Sequence, residues 1–226
     1  MPAPEEASPS PLAVHAGQAL YTRSFLRIYD TLVYRVNSPL TWRCPKERLV
    51  ALYDRHVSGN HLDVGVASGV LLDECRFPVP APDLTLMDLN PSSLAAADRR
   101  LRRYRPRLHR ADVLRPWGLP HGSVDSVGMC HLLHCLPGTL ADKAVVLEHA
   151  RRVLKPGGTL FGATIPGSGV DHNRSARLQL GLANRHGIMS NRLDRPEDLD
   201  AALAAVFPEH EVVVTGSVAL FWARTG

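Results

Sequence analysis

The chain has 226 residues, 45% of them hydrophobic and 21% charged, which gives room for one α/β domain with a full core, or that domain plus a small cap. The formal net charge of +4 does not argue for a nucleic-acid partner. Arg99, Arg100, Arg102, Arg103, Arg105, Arg107 and Arg110 form one local cluster with only Tyr104 interleaved, the pattern of a solvated helix face and not of an aromatic-lined groove. No apolar run is long enough to span a bilayer, and no basic-then-apolar leader follows Met1, so a cytoplasmic protein is expected with Cys44, Cys75, Cys130 and Cys135 as free thiols.

In chain order, residues 1–13 are rich in Pro, Ala and Ser and read as a loose tail. From Gly17 to Asn37 the spacing of Leu20, Phe25, Ile28, Leu32 and Val36 predicts a helix. Ser38-Pro39 breaks it, and a second helix is expected from Pro45 to His56. His61–Val64 is a short strand that runs into Gly65-Val66-Ala67-Ser68-Gly69 and then a helix from Val70 to Arg76. Leu84–Met87 is a strand ending at Asp88, followed by a helix from Ser92 to Arg105 capped by Asn90 or Ser92. Strands are expected at Leu108–Ala111 and Val124–Met129, and a helix over Leu140–Leu154 that stops at Lys155-Pro156-Gly157-Gly158 before a strand at Thr159–Thr164. Beyond Ile165 the alternation is interrupted by an insertion over 166–192 carrying a helix near 172–187. A helix over Arg195–Phe207 and two strands, Glu211–Thr215 and Val218–Ala223, joined by Gly216-Ser217 complete the chain.

This rhythm predicts an α/β fold: a Rossmann-like, seven-stranded, mostly parallel sheet with helices on both faces and a C-terminal antiparallel hairpin. A single domain is expected over 14–226, with 14–58 as an N-terminal helical lid and 166–192 as a wall on the substrate side.

The turn after the first strand carries the first chemical signal. Asp63, Gly65, Ala67 and Gly69 alternate through it, and glycine there lets backbone approach a ligand. The glycine spacing of a dinucleotide fingerprint is not met, because position 67 is Ala and position 70 is Val. Asp88, at the end of the second strand, has the position of an acid that accepts ribose hydroxyls, although Pro91 and Ser92 also suit it to capping. Asp112, between Ala111 and Val113, has a similar place after the third strand and an equally plain reading as a turn residue.

Taken together, Asp63-x-Gly65-x-Ala67-x-Gly69, Asp88, Ala111-Asp112-Val113, the Val124–Leu136 segment and Arg152-Val153-Leu154-Lys155-Pro156-Gly157-Gly158 resemble, in order, the motifs of class I S-adenosylmethionine (SAM)-dependent methyltransferases of the small-molecule type 11/12 group. Ala67 is a mild departure from the usual glycine. The resemblance implies SAM as cofactor, held by Asp63, Gly65, Ala67, Gly69, Asp88, Leu89, Asn90, Asp112 and Val113. It also implies methyl transfer to a small-molecule acceptor by a monomer or homodimer. Arg43 then has two readings, a partner of the methionyl carboxylate or a surface residue.

Such a transfer needs alignment first and a base only for a protonated acceptor. His131 and His134 follow the fourth strand at the ligand edge of the sheet. His134 is the first choice of base and His131 a neighbour of the methionine end, and packing is the alternative for both. Cys130, His131, His134 and Cys135 lack the spacing of a metal site. Other readings are a SAM-binding enzyme of rearrangement or cyclisation, a nucleic-acid methyltransferase, and a SAM-binding regulator.

Overall fold

The structure is a computed structural model that describes residues 37–226. The expected tail over 1–13, almost all of the helix over 17–37 and the first part of the 14–58 lid therefore lie outside the described residues. Seven strands form one sheet in the order β3-β2-β1-β4-β5-β7-β6. They are β1 (Asn60–Val64), β2 (Asp83–Asp88), β3 (Arg107–Arg110), β4 (Val124–Cys130), β5 (Leu154–Thr164), β6 (Glu209–Thr215) and β7 (Val218–Arg224). The first five run parallel. β7 pairs antiparallel with both β5 and β6, as the sequence pattern requires for a hairpin closing at Gly216-Ser217.

The longer helices are α1 (Lys46–His56), α3 (Pro91–Leu101), α4 (Leu140–Val153), α5 (Arg174–Arg185) and α6 (Pro196–Val206), with a short α2 at Val70–Glu74. They cover both faces. Leu49 and Tyr53 of α1 join Leu72, Leu94 and Phe161 in one core cluster. Val146, Leu147 and Ala150 of α4 join Leu199, Leu203 and Leu160 in the other. Side chains alternate across a strand, so Phe161 and Leu160 of β5 serve opposite cores. Val64, Leu86 and Val127 are fully buried, as strands covered on both sides must be.

The boundaries that moved have local causes. α3 ends at Leu101 instead of 105; a 3₁₀ turn covers Arg102–Tyr104 and Arg105 adopts a left-handed conformation, because a residue before proline is pushed out of the helical region. α4 opens with a capping box in which Thr139 and Asp142 satisfy each other's backbone amides. It ends at Val153, and Leu154 already pairs with Val124, while Ser126 pairs with Thr159. The expected Lys155–Gly158 turn is thus an excursion inside β5 and not a loop before it. In the arginine cluster, Arg103 pairs with Asp73 and Arg107 with Asp83, all four partly exposed.

This topology brings the carboxyl ends of β1, β2, β4 and β5 to one edge. In open α/β sheets that edge, where the strand order reverses between β1 and β4, is where ligands bind.

Candidate cofactor site and its neighbours

The bend between β1 and α2 is held in an unusual backbone state. Gly65 (φ 73°), Ala67 (φ 48°) and Gly69 (φ 73°) all have positive φ, a region that costs other L-residues roughly 1–2 kcal/mol. A Cβ at Gly65 would stand 3.0 Å from Leu132 Cδ1, a tight contact that adds to the conformational demand for glycine there. The Gly65 amide donates to the Met87 carbonyl at 2.8 Å, which ties the bend to the end of β2. The bend forms one wall of a cavity whose other walls are Tyr53, Asp63, Cys130 and His131.

Asp63 reaches this cavity from β1 although its side chain is 5% exposed. The Tyr53 hydroxyl of α1 donates to its Oδ2 at 2.7 Å. His61 Nε2 lies 3.4 Å from the same oxygen, and His61 Nδ1 is 2.8 Å from Ser126 Oγ. Gly128 faces Asp63 across β4, and a Cβ there would meet the carboxylate at 2.9 Å. Tyr53, His61 and Gly128 were not singled out from sequence. The available signal was only that Leu49 and Tyr53 lie one helical turn apart on a single face.

Asp88 sits across the bend. Its Oδ2 accepts the Ala67 amide at 3.3 Å and its Oδ1 the Asn90 amide at 2.8 Å. Burial raises its carboxyl to about 6, with the Asn90 and Ala67 amides pulling the other way. Among the described residues no basic side chain pairs with it. Each of its oxygens accepts one backbone amide and has capacity to accept a further donor. Asn90 has a second task, capping α3 by accepting the Ser92 amide at 2.8 Å. Leu89 accepts from Arg110 Nε through its carbonyl.

Asp112 accepts the Leu114 amide at 3.0 Å, the turn reading of that residue. Val113 is buried, and its carbonyl accepts from Trp117 Nε1 at 3.0 Å. The Arg43 guanidinium grips the carboxylate and carbonyl of Asp171, and it does not line the cavity beside the bend. The reason is local, since Trp42 and Cys44 on either side are buried and leave Arg43 on the outer surface with φ 53°.

The two expected histidines separate. His131 lines the cavity with the bend, and burial lowers its pKa to about 4. His134 does not line that cavity; its Nδ1 accepts the Ile165 amide at 3.2 Å and lies 3.3 Å from Thr164 Oγ1. Its carbonyl accepts the Ser190 amide at 2.8 Å. His134 therefore ties the β4 loop to the end of β5 and to the insertion. Among the described residues no cluster of His, Cys, Asp and Glu is arranged to hold a metal.

The insertion is pinned by a polar network that sequence reasoning also missed. Lys143 of α4 is fully buried and donates to Asp194 Oδ2 and to the Ser190 carbonyl, each at 2.6 Å. Asn191 donates to the Ile165 carbonyl at 2.6 Å and accepts from Asn184 at 2.8 Å. A cavity of about 610 Å³ lies outside this wall, between Pro137–Thr139 and Gly187–Asp194.

The residues present fit SAM. Gly65 and Gly69 carry no side chain at the bend, and the Asp88 carboxylate, tied to it through the Ala67 amide, keeps acceptor capacity at the same sheet edge. Residues 62–160 match the family Methyltransf_12, a methyltransferase domain. With the relatives below, this places the chain in the class I SAM-dependent methyltransferases. It is 43% identical to the demethylluteothin O-methyltransferase of Streptomyces thioluteus, over 92% of this chain and 91% of that one. It is 41% identical to the physcion biosynthesis cluster O-methyltransferase of Aspergillus chevalieri, over 92% of this chain and 94% of that one. Among solved structures the DhpI–SAH complex shares the fold, with a TM-score of 0.66, 17% identity and coverage of 96% of this chain and 99% of that chain.

Proposed function

We propose that this methyltransferase transfers the methyl group of SAM to a hydroxyl oxygen of a small molecule of secondary metabolism, acting in the cytoplasm. The observation that carries the reading is the meeting of Asp88 and the positive-φ bend through the Ala67 amide, which joins the two halves of a nucleoside site at one sheet edge. The acceptor class is supported by the two relatives named above, which are both O-methyltransferases. The cytoplasmic assignment is consistent with the described helices, none of which is long and apolar enough to cross a membrane.

In this reading Asp88 holds the ribose, Gly65, Ala67 and Gly69 let the backbone follow the ligand, and Asp63 and His131 border its amino-acid end. Leu89, Asn90, Asp112 and Val113 flank the adenosine. SAM, when bound, supplies a methyl already activated on sulfur. What the chain supplies is position, and alignment of that kind is worth on the order of 7–11 kcal/mol of a barrier. The insertion, fixed by Lys143, Asp194 and Asn191, forms the acceptor wall.

The test is incubation of the purified chain with methyl-labelled SAM and demethylluteothin. Label should appear in a product heavier by one methylene. An acceptor that returns isomerised and unlabelled would instead establish a rearrangement enzyme. Asp88→Asn should lose most of the affinity for S-adenosylhomocysteine, measured by calorimetry.

A further inference from the structure

Three histidines stand at the carboxyl edge of β4 and β5, and they are not equivalent. His131 lines the cofactor cavity. His134 has its Nδ1 committed to the Ile165 amide. His172, on the loop between β5 and α5, is 7% exposed, and among the described residues neither of its ring nitrogens has a hydrogen-bond partner. The Pro166 backbone lies near enough to favour the charged ring without forming a geometric hydrogen bond, and the charges of Arg43, Asp171 and Arg177 also act on it.

Buried polar groups are nearly always bonded, and an exception calls for an explanation. Looseness of the loop is not the explanation. Asp171 is gripped by Arg43 through its carboxylate and carbonyl, and that carbonyl also accepts from Ser217 Oγ at 3.1 Å. Asn173 caps α5 through the Ala176 amide and donates to the Leu40 carbonyl at 3.0 Å. The backbone on both sides of His172 is thus fastened to separate segments, while the ring between them keeps both nitrogens unspent. It does so beyond the carboxyl end of β5, on the edge of the sheet where ligands of open α/β folds bind.

We propose that His172 is the catalytic base that receives the acceptor hydroxyl, an inference that rests on the O-methylation reading above. One ring nitrogen accepts the hydroxyl's hydrogen bond and takes its proton. The oxygen lone pair forms the new C–O bond, and the electrons of the broken C–S bond leave with the sulfur. The resulting imidazolium returns its proton to water. Burial lowers the pKa of the ring; the Pro166 backbone and Asp171 raise it, and Arg43 and Arg177 lower it further. The imidazole is therefore neutral, and able to accept a proton, at neutral pH.

The test uses His172→Asn and His172→Leu in the full chain, with demethylluteothin as acceptor. In His172→Asn, kcat should fall by about 10²–10⁴-fold. Affinity for S-adenosylhomocysteine should stay within about twofold, and the acid limb of the kcat profile should vanish. In His172→Leu, which removes an unpartnered polar group, Tm should hold or rise. A His172→Asn enzyme within about threefold of wild-type kcat would overturn the assignment. So would a His172→Leu protein that melts several degrees lower, the mark of a histidine kept for structure. If the wild type leaves demethylluteothin unmethylated, the acceptor reading falls by itself. The Tm of His172→Leu then still decides, with a lower value overturning the assignment and an equal or higher one supporting it.

Discussion

Ala67 and Asp88 show how single side chains tune one site. Ala67 holds φ 48° where the family resemblance expects glycine, so the chain tolerates a left-handed alanine at the centre of its cofactor bend. Replacing it with glycine relieves that strain at the cost of some unfolded-state entropy. Ala67→Gly should therefore gain up to about 1 kcal/mol in urea unfolding while keeping S-adenosylhomocysteine affinity. A loss of stability would show that the methyl group packs better than its backbone suffers. Asp88 adds a pH dependence. On the proposed reading, its carboxyl, raised to about 6 by burial, accepts from ribose hydroxyls most strongly when ionised. Affinity for S-adenosylhomocysteine should be constant above that pH and fall as the solution is acidified through it. In Asp88→Asn the affinity should be low and flat across the same range, which calorimetry at several pH values would show.

At the scale of elements, the wall over the insertion depends on one buried ion pair. Lys143 and Asp194 are 0% and 4% exposed at the side chain. Burial lowers the lysine pKa and raises that of the aspartate, while their mutual hydrogen bond opposes both shifts. Removing one partner strands the other charge. Lys143→Met should cost about 3–5 kcal/mol, whereas Lys143→Met with Asp194→Leu should recover much of it. Equal destabilisation by the single and double variants would show that the pair has no special coupling. The Asp194 carbonyl accepts the Gly167 and Ser168 amides, so the same clamp sets the course of the chain leaving β5 toward His172.

For the molecule as a whole, four histidines with depressed pKa values, His56, His131, His134 and His172, govern acid stability. Burial lowers His131 to about 4, and burial together with Arg55 and Arg224 lowers His56 to about 4. His134 is also depressed, by burial first and then by His131 and Lys143. An unfolded histidine takes up its proton near 6.5, where these folded ones do not. The unfolded state therefore binds more protons between pH 6.5 and 4, and stability falls with acidification across that window. Asp88 works in the opposite sense, since its raised pKa adds stability as pH drops from 6 toward 3.8. With four histidines against the Asp88 carboxyl, Tm should be level above pH 7 and decline steadily below 6.5. A Tm that stayed level down to pH 5 would contradict this balance.

The sequence alone determined a seven-stranded, mostly parallel sheet with a C-terminal antiparallel hairpin, while the order of its strands came from the structure. Short β-branched runs alternating with capped helices leave little choice of fold class, and Gly65, Gly69 and Asp88 carry their chemistry in local backbone and position. It also narrowed the α3 cap to Asn90 or Ser92, of which Asn90 is the cap, and marked Gly216-Ser217 as the final turn, because both act within a few residues. Only the tertiary structure decided which histidine keeps its nitrogens free, that Arg43 is spent on Asp171, and that Lys143 crosses to Asp194. Those outcomes depend on burial and on partners far along the chain. A side chain's neighbours across the fold, and the water it loses on meeting them, leave no periodic trace in the sequence that encodes them.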